Sequence, residues 1–354
     1  MNRWDAMLTL CGYLRAGLLR DQLSPPTENI SWEVLVEVSS RHNVTPALAW
    51  CLKNKRDVPA EARDYFETIL TLNRRRNETL FASLKRVVAV CNAIGIEPVP
   101  LKGAARLIER NYPSPSLRIL SDLDVLIPAE RSVDVVAALE AIGFRTNPGD
   151  EPMPPAHNHL PALYDGEDWA CSVELHTHIL KSQSAEIIET NWFWAGTQPS
   201  TFEDLRIRLP DATRSIGHVI THDQLHHRGY WNRRVELRQL LDVAMIRSRH
   251  ESEIDWAELD DRFCHVEFEF GEVLATYLAI AEMLVGQPAP RLRREPRRDA
   301  IEDFRRLAGY EFESPRMFSG FTVPTQRKRS SSESNSGAAK LCDFLKGVRR
   351  AWLG

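Results

Sequence analysis

The chain has no apolar run long enough to cross a bilayer. Its longest, Val273 to Val285, is interrupted by Glu282 and falls short of the roughly 20 residues a spanning helix needs, so no membrane partner is expected. Paired cysteines are also missing. Cys11, Cys51, Cys91, Cys171, Cys264 and Cys342 stand singly, without the spacing of a zinc ribbon or a redox dithiol, and read as reduced, mostly buried thiols. Neither charge sign dominates: 45 Lys and Arg against 49 Asp and Glu leave a formal charge of −4. That balance gives no global field to gather nucleic acid or anionic lipid, so nucleic acid is not an expected partner and only a local basic groove could hold a polyanion. The first residues lack a clean apolar signal region, because Asp5 and Arg15 interrupt it, and a cytoplasmic location is expected. No internal repeat is visible.

What is present is an ordinary globular composition, 43% hydrophobic and 27% charged over 354 residues, which is more chain than one core usually organises. Residues 1–92 read as a helical N-terminal region. Phe66, Ile69, Leu70, Leu80, Phe81, Leu84, Val87, Val88 and Cys91 keep a helical stripe that Gly95 terminates, while Val34, Val36 and Val38 do not fit a strict helical period. A core follows over 93–210. Ile96 to Leu101 is β-compatible, Gly103 to Asn111 helical, Ser121 to Ile127 a buried strand stopped by Pro128, and Val135 to Ile142 a helix closed by Gly143. Phe144 to Thr146, His159 to Tyr164 and Trp169 to His176 are further strands, the last two separated by the turn dipeptide Asp165-Gly166. Residues 211–324 read as a helical C-terminal region in which Asp255 is an N-cap. The polar stretch from Thr325 to Lys340 begins a disordered linker with a short terminal helix, together 325–354.

One constellation carries chemistry. If Ser121 to Ile127 is a strand, Asp122 and Asp124 point to the same side roughly 7 Å apart at the backbone. Two carboxylates aimed at one point repel unless cations lie between them, and Mg2+ or Mn2+, which prefer hard oxygen donors, supply that compensation in sites that also take phosphates. Glu174, on the later alternating segment Ser172-Val173-Glu174-Leu175-His176, is the candidate for a third carboxylate, with His176 directed to the same side. Upstream, Leu101-Lys102-Gly103 forms a strand-to-helix turn in which a glycine amide, a helix start and the Lys102 ammonium suit phosphate. Arg118 is a second anion ligand candidate.

The order Leu101-Lys102-Gly103, a short helix ending in Asn111-Tyr112-Pro113, Arg118, Ser121-Asp122-Leu123-Asp124-Val125-Leu126-Ile127 and Val173-Glu174-Leu175-His176 resembles the uncharacterised nucleotidyltransferase family of the DNA polymerase β-like superfamily. The likeness spans about residues 30 to 245 and includes Arg41-His42-Asn43-Val44-Thr45-Pro46 and Leu237-Arg238-Gln239-Leu240-Leu241-Asp242. It implies an α+β fold, a nucleotidyltransferase-type mixed β-sheet flanked by helices with helical N-terminal and C-terminal regions. It also implies divalent metal on Asp122, Asp124 and Glu174, phosphate held by Lys102, Gly103 and Arg118 with His176 beside them, and transfer of a nucleoside monophosphate from a nucleoside triphosphate to an unidentified small-molecule, peptide or protein acceptor with release of pyrophosphate. Two departures stand out: Lys102-Gly103-Ala104 lacks the hydroxyl of the superfamily's Gly-Ser, and Glu174 stands where many members have aspartate. Both motivate the alternative of a catalytically silent nucleotide-binding or regulatory module on the same fold.

Other readings stay open on the residues alone. An Asp-x-Asp pair also occurs in turns, salt-bridged edges and calcium sites, Glu174 could be a solvated strand charge, and Lys102 and Arg118 could be surface cations. Eight of the eleven histidines fall between His157 and His227, and His218, His222 and His226 at four-residue spacing could ligate zinc or iron in a metallohydrolase. Trp192, Phe193 and Trp194 could stack on a base or pack in the core. The arginines from Arg291 to Arg298 fit RNA or a solvated connector, and Arg238 and Asp242 could pair with each other or reach the cleft.

Overall fold

The computed structural model describes residues 1–19, 21, 30–147, 157–165, 171–180, 185–266 and 268–310. The linker and terminal helix expected over 325–354 lie outside these residues, as does Gly166 of the expected turn. The lead-in is helical throughout its described part: α1 (Arg3–Leu18), α2 (Trp32–Arg41), α3 (Thr45–Leu52) and α4 (Ala60–Ala93). The alternating valines do not prevent α2, because packing against α1 and α3 buries Leu35, Val36, Val38 and Ser39 together, and that burial outweighs the weak β preference of a β-branched run. Ridge residues Phe66, Ile69, Leu80, Leu84, Val87, Val88 and Cys91 bury one face of the 34-residue α4. It ends in a left-handed Gly95, φ +78°, with the Gly95 amide bonded to the Asn92 carbonyl and the Ile96 amide to that of Cys91.

The central sheet has five strands: β1 (Val99–Pro100), β2 (Leu123–Leu126), β3 (Phe144–Thr146), β4 (Leu163–Asp165) and β5 (Ser172–His176), in the order β1-β2-β5-β4-β3. Only β2 and β5 run parallel; the other three pairings are antiparallel, so the sheet is mixed. Helix α5 (Lys102–Ile108) leaves β1 directly, and α6 (Ser132–Ala141) buries Val135 and Leu139 while Ile142 caps it half-exposed. The strands are shorter than the sequence suggests. His159 makes only an isolated bridge to His176, and β2 starts at Leu123, which leaves Asp122 on the bend before it. After α7 (Thr190–Ala195), a hairpin of β6 (Thr197–Phe202) and β7 (Leu205–Pro210) forms a separate two-stranded sheet, tied to the chain before β1 by the Arg208 amide donating to the Pro98 carbonyl at 3.0 Å. No strand signal marked it, since Pro199 interrupts the pattern and its two-residue turn is Glu203-Asp204, with Glu203 at φ +55° in place of the usual glycine or asparagine.

Helices α8 (Ala212–Thr221), α9 (Leu237–His250), α10 (Trp256–Val266), α11 (Phe268–Val285) and α12 (Arg298–Tyr310) complete the described chain. Asp255 caps α10 as expected, its carboxylate accepting from the Glu258 amide at 2.8 Å. Helix α1 packs on α11 and α12, with Trp4 edge-on to Phe304, so the two helical regions share one face. No described helix is long and apolar enough to cross a membrane.

The segment Arg41 to Pro46 joins these regions. Asn43, at φ +55°, closes α2: its amide bonds the Ser40 carbonyl and the Val44 amide bonds Ser39, after which Pro46 opens α3. The Asn43 side-chain Nδ2 donates to Glu236, and His42 Nδ1 accepts from the Leu237 backbone amide at 3.3 Å, one of the orphan donors at the start of α9. That bond requires an unprotonated Nδ1, and burial first, then Arg234 and Arg41, push the His42 pKa down from 6.5 to about 4. The folded state therefore resists a proton that the unfolded chain takes up below pH 6.5. Stability is expected to be full above pH 6.5 and to fall as pH drops towards 4, by on the order of 3 kcal/mol from this group. His42→Asn keeps an acceptor near the same place without titrating, so denaturant midpoints measured from pH 7 to 4.5 should flatten in that variant; an unchanged slope would rule the histidine out as the cause.

Candidate active site

The parallel pairing of β2 and β5 sets Asp124 directly beside Glu174, and Leu126 beside His176. Register partners on neighbouring strands point to the same face, so the two carboxylates share one side of the sheet. His176, two residues beyond Glu174, joins them: its Nε2 lies 2.8 Å from Asp124 Oδ1 and 3.8 Å from Glu174 Oε2. Pairing of β1 with β2 continues through the Leu101 amide to the Asp124 carbonyl, and the chain then turns into α5 at Lys102. Lys102 adopts φ +47°, a left-handed conformation that costs a non-glycine residue about 1–2 kcal/mol and that recurs at functional sites. The turn brings Lys102 Nζ 2.6 Å from Asp124 Oδ1, the same oxygen that faces His176.

Asp124 and His176 are buried, with side chains 3% and 1% exposed, whereas Glu174 at 24% forms the accessible edge of the group. Burial alone would raise the Asp124 pKa, but Lys102 and His176 outweigh it and hold the carboxyl well below its usual range. Burial likewise opposes the charged forms of His176 and Lys102, and their carboxylate partners push both pKa values up. Asp122 behaves differently: burial and then the Asp124 charge raise it to about 6, against the opposing pull of Lys102. Glu174 is lowered, its burial offset by His176.

Among the described residues, the atoms of Asp124, Glu174 and His176 lie within 4.8 Å of one another, a spacing that suits one cation. Asp122 stands beside that group, on the bend. The donor set fits a hard divalent ion, having two carboxylates on one face, and the Lys102 ammonium already stands in for a positive charge at Asp124. Arg118 has a different setting. Its Nε and Nη2 donate to both Asp242 oxygens at 2.8 to 3.1 Å, and Tyr112 Oη donates to Asp242 Oδ1 at 2.6 Å, all buried. Asp242 therefore pairs with Arg118 rather than with Arg238, which meets Glu236 at 3.5 Å. At Gly103 an added Cβ would fall 2.5 Å from Leu120 Cδ2 and 3.2 Å from Arg118 Cζ, so here glycine makes room for the protein's own side chains. Lys102, Arg118, Arg238 and Asp242 still line one small cavity, together with His218 and His222.

Several supporting residues escaped the sequence reading. Asn73 and Asn77 on α4 donate to the carbonyls of Pro115, Ser116 and Arg118, and Arg76 donates to those of Leu120 and Ser121, so α4 holds the loop that leads to Asp122. A signal existed: the two asparagines fill the gap in the apolar stripe between Ile69 and Leu80, where a buried polar group needs a partner. Asn158 donates to His176 Nδ1 at 3.2 Å and His159 Nε2 lies 3.5 Å from Glu174, behind and beside the carboxylates. The guanidiniums of Arg214 and Arg262 lie 4.2 and 4.1 Å from the Trp192 ring, and Phe193 is fully buried, which favours the packing reading of that aromatic group.

A protein-family model described as an uncharacterised nucleotidyltransferase matches residues 28–283. No curated protein and no solved structure matches the chain. The match covers most of the length, and the chain belongs to that uncharacterised nucleotidyltransferase family.

Proposed function

We propose that this family member is a metal-dependent transferase that moves a nucleoside monophosphate from a nucleoside triphosphate to an acceptor hydroxyl or phosphate on a small molecule, peptide or protein. The observation that carries this reading is the in-register pair Asp124 and Glu174 with Lys102 at its edge. An acceptor oxygen attacks the α-phosphorus, the bond to the bridging oxygen breaks, and pyrophosphate leaves with the electron pair. Asp122, Asp124 and Glu174 would hold Mg2+ or Mn2+, which when bound neutralises phosphate charge and polarises the reacting oxygens. Lys102 carries its charge on a long stem beside Asp124 and is suited to pass to a triphosphate oxygen. Glu174, ionised and at the accessible edge, completes that metal site or, left off the metal, takes the acceptor proton and releases it to water. His176, fixed from behind by Asn158, orients the Asp124 carboxylate. Arg118 acts through Asp242 and Gly103, keeping the floor of the Lys102 cavity in place, while single reduced thiols suit a cytoplasmic setting.

One observation favours a second reading. Asp124 Oδ1 already receives both Lys102 and His176, which is the arrangement expected of a silent nucleotide-binding module whose lysine substitutes for the ion. A screen of the four ribonucleoside triphosphates separates the two, with Mg2+ or Mn2+, cell extract as acceptor source and pyrophosphate as readout. The transferase reading expects triphosphate binding only with divalent metal, and pyrophosphate release with one acceptor pool. Metal-independent binding that survives Asp122→Asn with Asp124→Asn, without pyrophosphate release from any pool, would overturn it and is the result the silent module expects.

A further inference from the structure

His222, His226 and His227 form a second donor group, with ligand atoms within 4.8 Å of one another and no carboxylate among them. His222 and His226 stand on the π-helical turn His222–His226 that continues α8, and His227 caps it, its amide bonding the His222 carbonyl at 3.0 Å across five residues. In an α-helix, residue i+5 sits roughly 140° around the axis from residue i, on another face. A π turn, with roughly 4.4 residues per turn, lets i+4 and i+5 straddle i instead. The backbone irregularity is thus what collects these three rings, and it selects His227 in place of the His218 that simple four-residue spacing suggests. Ring centroids are 5.1 Å for His222 and His226, which stack, 4.3 Å for His222 and His227, and 5.3 Å for His226 and His227.

We propose that this turn is a binding site for a transition-metal cation of the Zn2+ class, separate from the carboxylate group and open at a fourth position. Imidazole nitrogen suits Zn2+, Co2+ and Ni2+ and does not suit Mg2+, so donor chemistry excludes Mg2+ from this turn. Tetrahedral zinc with bonds of about 2.0–2.1 Å needs ligand nitrogens roughly 3.3 Å apart, a closure that side-chain rotation supplies because His227 is exposed. The fourth ligand is water or an oxyanion. An anion is the better fit, since His222 also lines the cavity of Lys102 and Arg238 and three neutral imidazoles leave the ion its full charge.

The full-length protein, free of any affinity tag, is titrated with Co2+ and followed by visible absorption, and Zn2+ content is measured by elemental analysis after dialysis. One equivalent of Zn2+ and a tetrahedral Co2+ spectrum are expected. His227→Ala, at an exposed position, should weaken Zn2+ by more than the roughly 10–100-fold typical of an outer-shell partner, and His226→Gln should do the same. Asp124→Asn with Glu174→Gln should leave Zn2+ affinity unchanged. Substoichiometric Zn2+ in the wild type, Zn2+ retained in both histidine variants, or Zn2+ lost in a folded carboxylate variant would each overturn the proposal.

Discussion

Asp124→Asn is expected to lower pyrophosphate release at least a thousandfold, about 4 kcal/mol of transition-state stabilisation. Asparagine is nearly isosteric and keeps an oxygen that Lys102 and His176 can face, so the fold should survive. The negative charge that keeps Lys102 protonated, and that a divalent ion would need, is gone. Lys102 is 23% exposed and can regain water, which limits the stability loss to roughly 1–3 kcal/mol, below that of a fully buried pair left half-occupied. Measuring Tm beside turnover separates the two effects. Activity within tenfold of wild type, in a variant with a native Tm, would remove Asp124 from the reaction.

The largest stability effect is expected at the other buried pair. Asp242→Ala leaves the Arg118 guanidinium, 7% exposed, without the carboxylate that takes three of its hydrogen bonds, and leaves Tyr112 Oη without its acceptor. Uncompensated buried charge of this kind costs about 3–5 kcal/mol. Arg118→Met with Asp242→Leu removes both charges and should be milder than the single change. Chemical denaturation of the three proteins checks this order. If Asp242→Ala were no less stable than wild type, Arg118 would be free to serve as an anion ligand, the role its position in the motif suggests.

Much of the candidate site's geometry was legible because its signals are local. Alternation placed Asp124, Glu174 and His176 on one-sided segments, and the Lys-Gly turn announced a strand-to-helix junction. Arg118 and Asp242 were legible only as two charges. Their pairing joins residues 124 positions apart, and no local period encodes a contact made by closing the chain across the sheet and α9. Asp122 was expected on the strand, yet pairing with β5 begins at Leu123 and that with β1 only at Val125, and a strand ends where its neighbours end. The histidines show the same division, since spacing on an ideal helix chose His218 while the π turn chose His227.

By itself, the sequence determined the helical and strand periods, the caps at Gly95 and Asp255, and the kinds of donor available: hard carboxylates, a lysine at a strand-to-helix turn, clustered imidazoles. These follow from side-chain chemistry and nearest-neighbour backbone preference. Tertiary structure alone decided which charges meet. The parallel register put Glu174 beside Asp124, Asp242 neutralised Arg118, and α4 held the loop before Asp122, because buried charges and carbonyls must find partners and the partners lie far away along the chain.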